Sequence, residues 1–180
     1  MSGSRVYGII LVACLLIAFF AGVIYSRGTC ASHPEGEQVV ATCFSPGRSC
    51  SSIVVSWIER ANKSVHVLMF TFTLGNILDS LIVANGRGVE VLVVLERDQD
   101  ANQPAYETLR AAGIEVRQDN NPAFMHNKFA VIDAEIVITG SFNWTRSADE
   151  TNDENLVVIA SRDVASAFEH DFVSVWQTST

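Results

Sequence analysis

The sequence predicts an α/β fold in which a mixed β-sheet is flanked by helices. Apolar runs typical of strands alternate along the chain with stretches whose apolar residues recur at helical spacing. Residues 89–96, "VEVLVVLE", are apolar enough for a strand that is buried on both faces. Residues 128–133 and 135–140 are predicted to pair as a tight hairpin centred on Asp133 and Ala134.

The other elements follow from the same periodicities. Ser51 or Ser52 is placed to begin the first helix of the domain, and Gly88 to close the second. The predicted strands are residues 38–44, 64–72, 89–96, 114–117, 128–133, 135–140 and 154–160. The predicted helices are residues 51–63, 76–88, 104–112 and 162–176. The sequence shows no tandem repeat, and its length beyond the amino-terminal segment suits one domain.

The amino-terminal segment differs from the rest in composition. Residues 6–25 form an uncharged apolar run of twenty residues, which is long enough to cross a membrane as a helix. We therefore expect a transmembrane anchor at residues 1–27, with a signal segment cleaved near Cys30 as the alternative. Residues 28–37 are predicted to be a linker to a catalytic domain at residues 38–180. We expect this domain outside the cytoplasm, or periplasmic or secreted if the segment is cleaved.

Net charge limits how the protein can bind polyanions. From Ser32 onward, ten Lys and Arg residues stand against twenty Asp and Glu residues. This balance has the wrong sign for a long electrostatic footprint on nucleic acid. Any phosphate group must therefore be bound locally, by a few positive groups.

Three cysteines follow the apolar run, and their state is open at the level of sequence. In an exported domain, Cys43 and Cys50 could close a small disulfide loop. A zinc site of Cys30, His33, Cys43 and Cys50 is chemically possible, although the irregular spacing disfavours it. Free thiols are the third alternative.

Residues 126–133, "HNKFAVID", place polar groups on an otherwise apolar strand. Side chains at positions i and i+2 of a strand project from the same face. His126 and Lys128 are therefore predicted to point together, while Asn127 points away. One face of the strand gains a base and a cation side by side.

A second polar cluster follows the predicted hairpin. Ser141 and Asn143 have the same i, i+2 spacing, and Glu154 begins the next strand. A lysine, an amide and a hydroxyl near a histidine meet the needs of phosphodiester cleavage, which are neutralisation of the non-bridging oxygens and an in-line nucleophile. A carboxylate such as Glu154, bonded to the second ring nitrogen of His126, would fix the tautomer of the imidazole.

Together these polar residues fit the signature H-x-K-x-x-x-x-D followed by G-S-x-N. The matching residues are His126, Lys128, Asp133, Gly140, Ser141 and Asn143. By these motifs, and by "CFSPG", "FTF" and "ANGRGVEVLVVLE", residues 39–176 resemble the single-motif branch of the phospholipase D superfamily. That branch contains bacterial Nuc-type endonucleases and Zucchini-like mitochondrial proteins. In this family the motif aspartate is chiefly structural, so Asp133 is expected to hold the hairpin.

The resemblance implies a phospholipase D-like sandwich and a metal-independent phosphodiesterase that needs no cofactor. The reaction it implies passes through a phosphohistidine intermediate, with His126 as the nucleophile. Lys128 and Asn143 would bind the substrate phosphate, and Ser141 would support them. Glu154 would orient the histidine.

The signature occurs once in the chain, although the departing oxygen needs a second group to protonate it. His33 lies in the predicted linker and His170 on the last predicted helix, and His66 is expected to be a satisfied strand histidine. A homodimer would supply a second His126 across a two-fold axis. The active site is then expected at the dimer interface.

Three functions are compatible with this pattern. The first is an endonuclease that binds single-stranded nucleic acid through its phosphates. The alternative is a phospholipase D that hydrolyses phosphatidylcholine or cardiolipin in the membrane to which residues 6–25 tether it, the mitochondrial outer membrane if the source is eukaryotic. The third is an inactive, membrane-tethered binding module, which the complete set of motif residues disfavours.

Overall fold

The computed structural model describes residues 38–180, in which strands and helices alternate except for three successive strands after the third helix. The strands are β1 (Gln38–Ser45), β2 (Ser64–Met69), β3 (Glu90–Leu95), β4 (Glu115–Gln118), β5 (Lys128–Ile132), β6 (Ile136–Gly140) and β7 (Glu154–Ala160). The helices are α1 (Cys50–Ile58), α2 (Gly75–Gly86), α3 (Gln103–Ala111), α4 (Arg146–Glu150) and α5 (Arg162–Thr178), with a 3-10 turn at Asp100–Asn102.

All seven strands join one sheet in the order β1-β7-β6-β5-β2-β3-β4. The pairs β2–β3 and β3–β4 are parallel, and the other four pairs are antiparallel. This mixed sheet between helices confirms the predicted α/β fold. Because of the strand directions, the carboxyl ends of β2, β3 and β6 lie at the same edge as the amino ends of β5 and β7.

The two faces of the sheet are covered unequally. Helices α1 to α4 supply buried residues to a large core on one face, among them Val54, Leu81 and Leu109. On the other face, α5 packs over β2, β5 and β6 and buries Phe172. Cys43 and Ser45 are buried on the first face, so Phe44 between them projects from the second, where it is 64% exposed. The β1 end of the second face therefore presents apolar surface.

The β5–β6 hairpin turns at Asp133 and Ala134, where it was predicted. Both residues have positive φ, 56° and 55°, a conformation that suits the right-handed twist of a hairpin. The Asp133 carboxylate accepts hydrogen bonds from the backbone N–H groups of Asn62, Lys63 and Ser64 at 2.7–3.1 Å. Burial would raise the pKa of Asp133, but these donors outweigh it and hold the pKa below its ordinary value. The carboxylate thus ties the hairpin to the start of β2.

Several element boundaries differ from the sequence-based predictions. Helix α1 ends at Ile58 and β2 ends at Met69, earlier than expected. Phe70 N still donates to the carbonyl of Asn127, its partner in register, but Phe72 N donates to the side chain of Asn102 and so leaves the ladder with β5. Helix α4 and the 3-10 turn were not predicted, since segments of five and three residues are too short to show a helical period.

The cysteine pair of the described domain is oxidised. Cys43 and Cys50 form a disulfide with a Cα–Cα distance of 5.6 Å, which joins β1 to the start of α1. Zinc ligation by these two thiols and the free-thiol alternative are therefore wrong for this pair. Cys30, His33, the predicted anchor at residues 1–27 and the linker at residues 28–37 lie outside the described residues. Within residues 38–180, no helix has the length and apolar character needed to span a membrane.

The Asp133 carboxylate gives a prediction about stability. Asp133→Asn keeps a residue that tolerates positive φ but removes the charged acceptor, and we expect the free energy of unfolding to fall by about 1–3 kcal/mol at neutral pH. Because the folded pKa is depressed, this stability is present above the unfolded value of 3.8 and is lost as pH falls through the folded value. Urea denaturation across a pH series measures it.

Asp79→Asn is the matched control, because Asp79 is an exposed aspartate on α2. We expect it to change the free energy of unfolding by less than about 0.5 kcal/mol. A difference between wild type and Asp133→Asn that stays constant down to acid pH would contradict the assigned role.

Candidate active site

The predicted site residues meet at one edge of the sheet. His126 lies two residues before Lys128, where β5 starts opposite Met69, the last residue of β2. Ser141 and Asn143 follow the carboxyl end of β6, and Glu154 begins β7. Three segments that are remote in sequence thus converge because neighbouring antiparallel strands reverse at the same edge.

His126 and Lys128 form the centre of this cluster. Lys128 Nζ lies 3.2 Å from Nδ1 of His126 and donates a 2.9 Å hydrogen bond to the carbonyl oxygen of the same residue. His126 lies just before the strand rather than within it, yet the two side chains point together as the i, i+2 spacing predicts. The His126 side chain is exposed, so a substrate can reach the imidazole.

Lys128 is partly buried, and this affects its charge. Desolvation lowers the pKa of the Lys128 ammonium from its ordinary value, and the nearby Glu154 carboxylate opposes the shift. A partly dehydrated ammonium binds an anion more strongly than a fully hydrated one, because fewer water contacts remain to be displaced. Lys128 is therefore suited to hold one phosphate oxygen.

Ser141 and Glu154 are joined by a short hydrogen bond. Ser141 Oγ donates to Oε2 of Glu154 at 2.5 Å, and Asn152 Nδ2 donates to Oε1 at 3.1 Å. Ser141 Oγ also accepts from the backbone N–H of Asn155. The expected hydrogen bond from the second ring nitrogen of His126 to the Glu154 carboxylate is not formed within the described protomer, because the carboxylate is directed at these neighbours instead.

Asn143 carries an unusual feature. Its Oδ1 is buried and has no hydrogen-bond partner among the described residues, although a buried amide oxygen normally has one. The backbone around it is fixed, since Trp144 N donates to the carbonyl of Thr71 and the Trp144 carbonyl accepts from Thr73 and Leu74. The amide nitrogen is not buried in this way, so its two N–H donors are the groups that a phosphate oxygen could reach.

A buried polar network behind the site was not predicted. The Glu96 carboxylate, 1% exposed, accepts from the backbone N–H of Met125 at 2.6 Å and of Asp98 at 2.9 Å. Asn102 accepts from Phe72 N and donates to the carbonyls of Phe70 and Glu96. The sequence signal was a carboxylate directly after the apolar run of β3. The Glu96 carboxylate holds Met125, the residue that precedes His126.

His66, the other strand histidine considered, is satisfied as expected. Its Nδ1 lies 2.8 Å from Glu169 and its Nε2 3.2 Å from Glu90, and its ring stacks on Phe172. Burial alone would lower the pKa of His66, but the two carboxylates outweigh burial and raise it. His66 lies three residues before Met69, about 10 Å along the strand from the edge that carries His126.

This fold and this edge cluster define a phosphodiester hydrolase of the α/β sandwich class. The family model described as "Cardiolipin synthase, PLD-like domain" matches residues 54–176. The chain therefore belongs to the phospholipase D superfamily, in its single-motif branch.

Individual relatives agree with this assignment. A mitochondrial cardiolipin hydrolase of Xenopus tropicalis is 37% identical over 130 residues, which are 72% of this chain and 62% of the relative. A phospholipase D of Rickettsia prowazekii is 38% identical over 172 residues, which are 89% of this chain and 83% of that protein. The chain thus spans less than two thirds of the Xenopus protein and most of the Rickettsia protein.

One solved structure extends the comparison to the fold. The phospholipase D family member Nuc from Salmonella typhimurium superposes with a TM-score of 0.76 at 31% sequence identity. The match covers 80% of this chain and 97% of Nuc. Nearly the whole of Nuc therefore corresponds to the domain described here.

Gly140 gives a prediction about the edge cluster. It has a φ of 147°, and a Cβ at this position would overlap the backbone carbonyl oxygen of Asn155. We expect Gly140→Ala to lower the free energy of unfolding by about 1–3 kcal/mol. We also expect turnover by the folded enzyme to fall, because Ser141 and Asn143 would shift. Urea denaturation and phosphodiester hydrolysis measure the two effects.

Gly86→Ala is the matched control, since a Cβ at this helical position meets no atom within 4 Å. It should leave activity unchanged and raise stability slightly, because alanine is the better helix former. Equal behaviour of the two variants would contradict the close approach of Asn155 to Gly140.

Proposed function

We propose that this phosphodiester hydrolase is an endonuclease of single-stranded nucleic acid that acts through a phosphohistidine intermediate. The observation that carries the proposal is the exposed imidazole of His126 with the Lys128 ammonium 3.2 Å away. A nucleophile and a cation at this distance can engage the phosphorus and a non-bridging oxygen of the same phosphodiester.

In the first step, a ring nitrogen of His126 attacks phosphorus as the bond to the departing oxygen breaks. Lys128 and Asn143 bind the non-bridging oxygens, and Ser141 supports this position. In the second step, water attacks the phosphohistidine, which releases a phosphomonoester and regenerates the imidazole. The side-chain donors supply the charge stabilisation that metal ions supply in other nucleases.

The departing oxygen needs a proton, and we propose that His126 of a second protomer supplies it. Of the described histidines, His66 is held by two carboxylates about 10 Å along β2 from the edge. The apolar surface around Phe44, on the sheet face beside α5, supports a homodimer because it is uncovered in the protomer. Two-fold symmetry would then bring two copies of His126 into one site.

Glu154 has two roles in this proposal. It holds Ser141 through the 2.5 Å hydrogen bond, and its charge favours the protonated form of Lys128. A carboxylate has about four lone-pair positions, so capacity remains to orient a histidine brought by the second protomer.

The groove beside His126 supports nucleic acid as the substrate. Its lining is mixed, and seven of its ten residues have polar side chains, among them Asn120, Asn121 and Asn127. Acyl chains would require a larger apolar surface. The second candidate is hydrolysis of phosphatidylcholine or cardiolipin, which the names of the Xenopus and Rickettsia relatives favour. In either case we propose that residues 6–25 tether the enzyme to a membrane, mitochondrial in a eukaryotic source.

A substrate panel tests this proposal. The full-length chain is offered labelled single-stranded DNA, RNA, phosphatidylcholine and cardiolipin in parallel, in millimolar EDTA. We expect cleavage of single-stranded nucleic acid to persist, and acid quenching to trap label on the protein through an acid-labile bond. Loss of activity in EDTA that Mg²⁺ restores would contradict the mechanism, and lipid hydrolysis alone would select the second candidate.

His126→Ala is the matched inactive variant in this panel. We expect it to abolish both turnover and trapped label while the unfolding transition is retained, because the side chain is exposed. An active His126→Ala enzyme would remove His126 from the nucleophile role.

Mixed dimers test the second histidine. When wild type and His126→Ala are refolded together in equal amounts, random pairing leaves about a quarter of dimers with both histidines. We expect activity near this fraction, because each mixed dimer lacks either the nucleophile or the acid. Activity near one half would show that each chain works alone, and would make His66 the next acid to test.

A further inference from the structure

A large aromatic side chain is exposed next to the proposed nucleophile. Phe124 lies two residues before His126 and is 57% exposed. The preceding residues, Asn120 to Ala123, are exposed and small or polar, so Phe124 is the one large apolar side chain of this loop. An exposed phenylalanine at this position is not needed for the core.

The Phe124 ring is continuous with the catalytic groups. It meets the ring of Phe70 edge to face with the centroids 5.7 Å apart, and Phe70 in turn contacts His126 at 4.2 Å. Lys128 Nζ lies over the Phe70 ring, 4.9 Å from its centroid. An aromatic surface therefore extends from the phosphate-binding cation to the groove.

The loop that carries Phe124 is held in place. Asn121 accepts from the backbone N–H of Ala123 and donates to the carbonyl of Phe124. The next residue, Met125, is buried and is fixed by the Glu96 carboxylate at 2.6 Å. Both sides of Phe124 are thus anchored, so its ring is positioned before a ligand binds.

The groove beside Phe124 has the size and polarity for a nucleoside. It encloses about 600 Å³, and its lining combines the Phe124 ring with the amides of Asn120, Asn121 and Asn127. A nucleobase presents an aromatic face for stacking and polar edges for hydrogen bonds. Asn120 donates to the Thr178 carbonyl and Asn127 to Asp171, and each NH₂ group keeps a second N–H that the polar edge of a base can reach.

We infer that Phe124 and this groove form a subsite for the nucleobase next to the scissile phosphate, with the base stacked on the Phe124 ring. The inference rests on the proposed nuclease function and adds where the base is bound. Because every base has an aromatic face, the subsite requires a base without selecting which one. The second candidate occupant, a lipid acyl chain, becomes an outcome of the test.

The test uses the full-length chain and oligonucleotides with one cleavable phosphodiester among methylphosphonate linkages. The nucleotide on one side of this phosphodiester, and then the other, is replaced by an abasic analogue. Wild type should lose about five- to a hundredfold in kcat/KM when the base on one side is removed, the usual size of base stacking on an aromatic residue. Phe124→Ala should lower kcat/KM on the intact substrate by a similar factor. Removal of the base should then cause no further loss in this variant.

Two variants control for general effects. Phe124→Trp keeps an aromatic face and should retain the preference for a base at that position. Val83→Ala removes an apolar side chain of similar exposure, 56%, on α2. It should leave kcat/KM unchanged for both the intact and the abasic substrate. Because both sites are exposed, the unfolding transitions of all variants should match wild type.

Each contrary result has a distinct meaning. If the losses from Phe124→Ala and from the abasic substrate multiply, the base does not contact Phe124 and the inference is wrong while nuclease function stands. If Phe124→Ala impairs hydrolysis of cardiolipin vesicles and leaves oligonucleotide cleavage intact, the occupant is an acyl chain. If wild type cleaves no nucleic acid, the proposed function fails and the base subsite with it.

Discussion

The register of β5 against β2 is the constraint on which the site depends. Met69 pairs with Lys128, so His126 and Lys128 stand where β2 ends. A slip of one residue would turn Lys128 to the other face of the sheet, and a slip of two would move it by about 7 Å. At the far end of β5, Asp133 binds three N–H groups at the start of β2 and fixes this register. The aspartate of the motif thus positions the other two members.

Electrostatics at the site is local, because the protein as a whole is acidic, with a formal net charge of −8. Lys128 supplies positive charge next to the nucleophile, and partial burial increases its effect on a bound anion. The Glu154 carboxylate favours the protonated form of Lys128. Such a site suits recognition of one phosphate group by short-range contacts, whereas attraction along a polyanion would be weak.

Rigidity around the nucleophile comes from buried polar groups at the carboxyl ends of the parallel strands. Glu96 follows β3 and binds the N–H of Met125, and Asn102 bonds the backbone of Phe70 and Phe72 just after β2. Satisfied buried polar groups specify one backbone arrangement, because each alternative leaves a donor or acceptor unpaired. The loop before His126 and the Phe70 ring beside it are therefore held in place without ligand.

By itself, the sequence determined the order and type of the main elements, the hairpin at Asp133, and the pairing of His126 with Lys128. These follow from periodicity and from i, i+2 spacing, which are local properties of the chain. The boundary of β2, the short helix α4 and the direction of Glu154 toward Ser141 were decided by tertiary structure. The buried role of Glu96 and the exposure of Phe124 beside the site also depend on which remote segments meet at the sheet edge. Spacing along one strand cannot encode such contacts, because strand order and register bring their partners from 13 or more residues away.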